Sequence, residues 1–150
     1  MLKSNIFDIL KSKKEVYMKK LVVAFDLDHT LVNASHRGRR DKDGNWDLEY
    51  WIENSVLKNI MKDRLLPLVD VYREFKKTNH TLILVTAREL KEDDYHFLAH
   101  HELTFDYVLE RKDSKELDEI LKDKKLNEFF EESGLIPYIA FDDKDENLDV

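Results

Sequence analysis

Three short apolar runs limit what this chain can fold into. They are Leu21-Val-Val-Ala-Phe25, Thr81-Leu-Ile-Leu-Val85 and Tyr138-Ile-Ala-Phe141, the last entered through Pro137. Each is nearly all apolar and rich in β-branched or aromatic residues, as expected of strands covered on both faces. Tyr107-Val-Leu109 reads as a weaker fourth strand. Helical spacing fills the stretches between them: Leu65 to Lys77, where Leu65, Leu68, Val69, Tyr72 and Phe75 recur on one face, then Leu90 to His101 and Lys115 to Glu132. Strands alternating with helices predict an α/β fold, a Rossmann-like three-layer sandwich around a parallel sheet. Ligands in such sheets sit beyond the carboxyl ends of the strands. Asp26, Thr86 and Asp142 stand at those ends and are expected to converge.

The third helical stretch is not simple. Leu117, Ile120 and Leu121 form one stripe, and Leu126, Phe129 and Phe130 are out of phase with it. Either the helix breaks near Lys122–Lys125 or it is buried on more than one side.

Composition removes several chemistries. Gly38, Gly44 and Gly134 are the only glycines in 150 residues, and cysteine is absent. Those glycines cannot form a Gly-rich phosphate loop or a dinucleotide fingerprint. Without cysteine there are no disulfides, thiolate zinc sites, iron–sulfur clusters or cysteine nucleophiles. With 25 Lys and Arg against 32 Asp and Glu the net charge is −7, which argues against broad nucleic-acid binding. His36-Arg-Gly-Arg-Arg40 is the one compact basic cluster, placed to meet a nucleic-acid backbone locally. No apolar run approaches the ~20 residues that span a bilayer, and the first twenty residues lack a signal-peptide core. A cytoplasmic protein without a membrane partner is expected, and nothing points to a protein partner. Residues 1–17 precede a second methionine, Met18, and read as an N-terminal extension; residues 18–150 read as one domain.

Asp26 and Asp28 lie two apart just after the first strand, and Asp142 and Asp143 follow the last. Paired carboxylates at a strand end suit a nucleophile with an acid–base partner, or a hard cation. The order Asp26-x-Asp28-x-Thr30, Thr86, a lysine, then Asp142-Asp143 resembles the haloacid dehalogenase-like phosphohydrolase superfamily across residues 21–150. His29 stands where that family often has glycine. The resemblance implies that Asp26 is the nucleophile of an aspartyl-phosphate intermediate and Asp28 the general acid–base. It implies Mg²⁺ as cofactor, held by the Asp26 carboxylate, the Asp28 backbone carbonyl and Asp142, with Asp143 assisting. Thr86 would hydrogen-bond the phosphoryl group, and a lysine would neutralise the carboxylates. Asp118-x-x-x-Lys122 resembles the acid-then-lysine pattern of one branch and favours Lys122; Lys112 and Lys115 are rivals.

Neither the stretch from Thr30 to Thr86 nor that from Lys122 to Asp142 leaves room for a large cap domain. His36-Arg37, Thr86-Ala-Arg88 and Glu110-Arg111 before Asp118 further resemble the 3′-phosphatase domains of phage polynucleotide kinases. This implies a phosphorylated nucleotide or nucleic-acid end as substrate, bearing a 3′-phosphate, with Arg37, Arg88, Thr30 and Asp118 binding it. A 5′-nucleotidase, a small-metabolite phosphatase and a non-catalytic phosphate-binding module are the alternatives. Trp46, Tyr50 and Trp51 are expected in the core, with stacking on bases as the other reading. His96, His100 and His101 do not have metal-ligand spacing.

Overall fold

The computed structural model describes residues 20–112, 117–135 and 137–143. The extension 1–17 and Lys115 lie outside them. In chain order the elements are β1 (Val22–Phe25), β2 (Val32–Asn33), a 3-10 turn (Ser35–Arg37), α1 (Leu48–Asn54), α2 (Leu57–Ile60), β3 (Arg64–Leu65), α3 (Leu68–Lys77), β4 (Thr81–Val85), α4 (Glu92–His100), β5 (Tyr107–Leu109), α5 (Asp118–Ser133) and β6 (Ile139–Phe141).

β5, β4, β1 and β6 form a parallel sheet in that order, flanked by helices, and β2 and β3 form a separate antiparallel pair. Side chains alternate across a strand, so β1 divides its residues between two layers. Val23 and Phe25, with Leu82 and Leu84 of β4, pack against Val69 and Tyr72 of α3 and Phe97 and Leu98 of α4. Val22 and Ala24, with Ile83 and Val85, pack against Phe129 of α5. This is the expected three-layer sandwich. The Tyr72 hydroxyl donates to the Thr104 carbonyl (2.6 Å) and accepts from the Thr104 N–H (2.7 Å), so the polar tip of a buried ring is satisfied.

Two helices differ from expectation. The first begins at Leu68, with Pro67 at its N-cap, and Leu65 belongs to β3. A residue before proline is pushed out of the helical region, so Leu66 cannot continue a helix into Pro67. The last helix neither breaks nor is buried on two sides. Leu121, Leu126 and Phe129 face the protein, whereas Leu117, Ile120 and Phe130 are exposed. Gly134, at φ +72°, ends it in the left-handed conformation that glycine adopts without a Cβ clash. Among the described residues no helix is long and apolar enough to cross a membrane.

Among the described residues no large cap interrupts the sandwich. The chain instead makes a compact excursion between β1 and α3, held by a buried ion pair. Arg37, only 1% exposed, donates through Nε and Nη2 to the two oxygens of Asp63 (2.9 and 2.7 Å) and through Nη1 to Ser55 Oγ (2.8 Å). His36 Nε2 lies 2.6 Å from Asp63 Oδ1. Removing one partner of a buried pair strands the other charge. Asp63→Asn is therefore expected to lower unfolding stability by about 3 kcal/mol, read as a fall in urea midpoint at constant slope.

Candidate active site

The register of the sheet brings the acids together. Phe25 lies beside Leu84 on one side and Phe141 on the other. The next residues, Asp26 and Asp142, therefore leave the sheet side by side, with the Asp26 N–H donating to the Phe141 carbonyl (2.9 Å). Thr86 leaves β4 at the same edge, its N–H bonded to Leu109 O (2.9 Å). After Asp26 the chain turns tightly, with Leu27 O accepting from the N–H groups of Thr30, Leu31 and Val32. His29 takes φ +62°, a left-handed conformation that disfavours a Cβ, which is a physical reason for glycine at this place in related motifs.

Lys122 sits one helical turn into α5 and is 7% exposed. Its Nζ lies 3.0 Å from Asp26 Oδ1 and 2.7 Å from Asp142 Oδ2. Lys112, the rival within the described residues, is exposed at the surface. Burial pushes the Asp26 carboxyl up to about 7 from its ordinary value of 3.8, with Lys122 pulling the other way and the Asp142 charge adding to the rise. Burial works against the Lys122 ammonium, but Asp26 and Asp142 outweigh it and hold its pKa above the ordinary value. Carboxylate oxygens of Asp26, Asp142 and Asp143 lie within 4.8 Å of one another. This all-oxygen set suits a hard divalent cation such as Mg²⁺ and has no nitrogen or sulfur ligand that would favour a softer one.

Asp28 is held differently. Arg88 Nε donates to its Oδ2 (2.7 Å), and Arg88 Nη1 reaches Asp94 Oδ1 (2.9 Å). The two acids hold the guanidinium pKa above its usual value against the effect of burial. Asp94 Oδ2 in turn accepts from the Lys91 N–H at the start of α4 (2.9 Å). Asp28 Oδ1 is buried and lacks a hydrogen-bond partner. A buried carboxylate oxygen without a partner is costly, which marks it as a group kept for something outside the chain. Thr86 is 2% exposed; its Oγ1 accepts from the Arg88 N–H (3.4 Å), and its own hydrogen can still donate.

Asp26, Asp28, Thr86, Arg88, Asp118 and Lys122 all border one cleft of about 1180 Å³. Arg37 does not. Its fully buried guanidinium is committed to Asp63 and Ser55, so it cannot grip a phosphate in the cleft as the motif alone suggests. Thr30 is also turned inward, its hydroxyl donating to Asp26 Oδ2 (3.2 Å). Asp118 pairs with Arg111 (2.9 Å), which also donates to the Ala87 carbonyl and so braces the loop that carries Arg88. Trp46 and Trp51 are expected in the core but line the cleft, on the excursion that carries the Arg37–Asp63 pair. Sequence reasoning missed Asp94, and it noted Asp63-to-Pro67 as part of the resemblance without giving Asp63 a role. Asp94 has a signal, since an acid in the first turn of a helix so soon after Arg88 is placed to cap and to pair. That Asp63 pairs with Arg37 shows only in the fold.

The buried acid–lysine cluster stands at the carboxyl edge of a parallel sheet, where folds of this kind bind their ligands, and it follows the motif order of the haloacid dehalogenase-like phosphohydrolases. More narrowly, the family model of the bacteriophage T5 5′-deoxynucleotidase matches residues 11–137, and the chain belongs to that family. Two structures of the Pnkp1/Rnl/Hen1 RNA repair complex contain a similar fold. One has a TM-score of 0.59 at 24% identity, covering 87% of this chain and 38% of that one. The other has a TM-score of 0.62 at 24% identity, covering 87% and 42%. The chain thus spans about two fifths of those proteins. A haloacid dehalogenase-like hydrolase from Streptococcus pneumoniae is similar with a TM-score of 0.53 at 16% identity, covering 81% of this chain and 73% of that one. No curated protein sequence matches this chain.

The raised Asp26 pKa has a consequence in metal-free protein. The folded state resists ionising this acid, so a stability penalty is fully present above about pH 7 and absent below the ordinary value near 3.8. Asp26→Asn removes the penalty. Metal-free Asp26→Asn should melt above the parent at pH 8, with the gap closing as pH falls towards 4, as read by thermal unfolding in chelator.

Proposed function

We propose that the chain hydrolyses the phosphomonoester of a nucleotide through Asp26, with a deoxynucleoside 5′-monophosphate as the leading substrate. The observation that carries this is Lys122, buried between Asp26 and Asp142 on the border of the cleft. Membership in the 5′-deoxynucleotidase family supports the choice of ester.

The residues divide the work as follows. Asp26 attacks phosphorus through a carboxylate oxygen, and the ester P–O bond breaks as Asp28 gives its proton to the leaving oxygen. Asp28 then takes a proton from water, whose oxygen attacks the phosphorus of the aspartyl-phosphate. That breaks the bond to Asp26 and frees inorganic phosphate. Arg88 orients Asp28 through Oδ2, on the border of the cleft. The Thr86 hydroxyl and Lys122 ammonium hold the phosphoryl oxygens. Asp26, Asp142 and Asp143 would hold Mg²⁺, which would supply positive charge to offset repulsion between carboxylate and phosphate. Asp28 would contribute its backbone carbonyl.

A 3′-phosphorylated nucleic-acid end is the second reading. The fold shared with the RNA repair chains and the placement of Arg39 and Arg40 on the cleft border favour it. A phosphatase panel with Mg²⁺ separates the two. Deoxynucleoside 5′-monophosphates should be hydrolysed in preference to 3′-phosphorylated oligonucleotides, and Asp26→Asn should lower kcat by at least about three orders of magnitude. Activity lost in chelator and restored by Mg²⁺ is expected. Full activity in Asp26→Asn would refute the assignment.

A further inference from the structure

Resting on the nucleotide reading, we infer that Trp46 is the platform on which the substrate's base stacks, and that Gly38, Trp51 and the buried Arg37–Asp63 pair fix the plane of its indole. Trp46 is 50% exposed, and it borders the same cleft as Asp26 and Asp28. Large aromatic rings are mostly buried, so one left half in water inside a concave, acid-floored cleft needs a reason.

The chain has gone to some length to seat this ring. A Cβ at position 38 would lie 2.1 Å from Trp46 Cη2 and 2.8 Å from Cζ3, so only glycine fits beneath it. The backbone of Gly38, at φ −110° and ψ 161°, is one that any residue adopts. Glycine is therefore needed here for room and not for conformation. On another side Trp51 holds the ring, with centroids 5.6 Å apart and planes tilted by 49°. Trp51 is itself committed: the Arg37 guanidinium lies 4.4 Å from its ring centre and that of Arg88 5.7 Å. Its carbonyl accepts from Ser55 Oγ (2.6 Å), and Ser55 accepts from Arg37.

The backbone completes the seat. Trp46 pairs with Arg40 as an isolated antiparallel bridge, closing a turn in which Asp41 Oδ1 accepts from the Asp43 and Asn45 N–H groups (2.8 and 3.0 Å). A ring that merely filled space would need no such fixing. Fixing one face and exposing the rest is what a stacking surface requires, because a planar ligand then binds without the cost of ordering the side chain. Exposed Leu48 and Ile52 extend the apolar wall beside it. The path from the platform to the candidate acid is short: Trp46 touches Trp51, Trp51 touches Arg88, and Arg88 holds Asp28.

The test compares a deoxynucleoside 5′-monophosphate with 2-deoxyribose 5-phosphate, which has the same ester and no base. In Trp46→Ala, kcat/KM for the nucleotide should fall by about tenfold or more, mostly through KM. The parent's preference for the nucleotide over the sugar phosphate should collapse. Trp46→Phe should restore most of it, and Gly38→Ala should copy Trp46→Ala while keeping the parent's circular dichroism. The chain has two tryptophans, so the fluorescence that Trp46→Phe removes from an Asp26→Asn background reports Trp46 with Trp51 in place. That fluorescence should be quenched by the nucleotide and not by the sugar phosphate. Equal loss on both esters, or an unchanged preference, overturns the platform while leaving the phosphatase assignment standing. No hydrolysis of either ester by the parent protein overturns the assignment itself, and absence of quenching then overturns the platform independently.

Discussion

Lys122 places one buried positive charge between the carboxylates of Asp26 and Asp142, and the arrangement of the sheet serves that contact. Three ionic groups this close and this buried are tolerable only with near-ideal geometry. β6 must lie beside β1 so that Asp26 and Asp142 leave the sheet in register. α5 must cross on the face made by Val22, Ala24, Ile83 and Val85, with Phe129 as its anchor, so that Lys122 reaches the edge. The balance is not symmetrical. Lys122 stays firmly charged, while Asp26 is pushed up to about 7 and is poorly stabilised as an anion. Lys122 alone leaves the Asp26 carboxylate short of positive charge, and a hard cation held by Asp26, Asp142 and Asp143 would supply the rest.

The second half of the cleft depends on another buried charge. Arg37 and Asp63 form their pair within the excursion that separates β1 from α3, and Arg37 carries it on to Ser55 and the Trp51 ring. An apolar substitute could fill the same volume, but it would give up the guanidinium's contact with the Trp51 ring and its hydrogen bond to Ser55. The cost in stability and the gain in orientation are both local to this network. It meets the acid floor through Arg88, which is close to Trp51 on one side and bonded to Asp28 on the other.

Much of the sandwich was legible because burial on both faces leaves an unmistakable pattern. Val22–Phe25 and Thr81–Val85 are buried throughout and carry no polar residue beyond Thr81, whereas the outer strands Tyr107–Leu109 and Ile139–Phe141 are only partly covered, and the residues that follow the strands fall at one edge. The i, i+4 spacing of Asp118 and Lys122 placed both on one face of α5, yet it did not show that Lys122 would be buried and Asp118 would brace Arg111. Arg37 was misread for a physical reason. A guanidinium suits a phosphate and a carboxylate equally well, and the choice was made by Asp63, a residue far along the chain whose approach only the fold determines. Trp46 was misplaced in the core because aromatic residues are more often buried than offered to a ligand. The short elements β2, β3, α1 and α2 carry too few residues for a period to show.

The central claim is that the Asp26 carboxylate itself takes the phosphoryl group. The most direct measurement is rapid quenching of protein turning over a deoxynucleoside monophosphate with Mg²⁺, followed by borohydride reduction and peptide mass mapping. An acyl phosphate is reduced to the alcohol, whereas a free carboxylate is not. The account predicts reduction at Asp26 that requires both substrate and Mg²⁺. An unmodified Asp26 in protein that releases phosphate at its normal rate would contradict it.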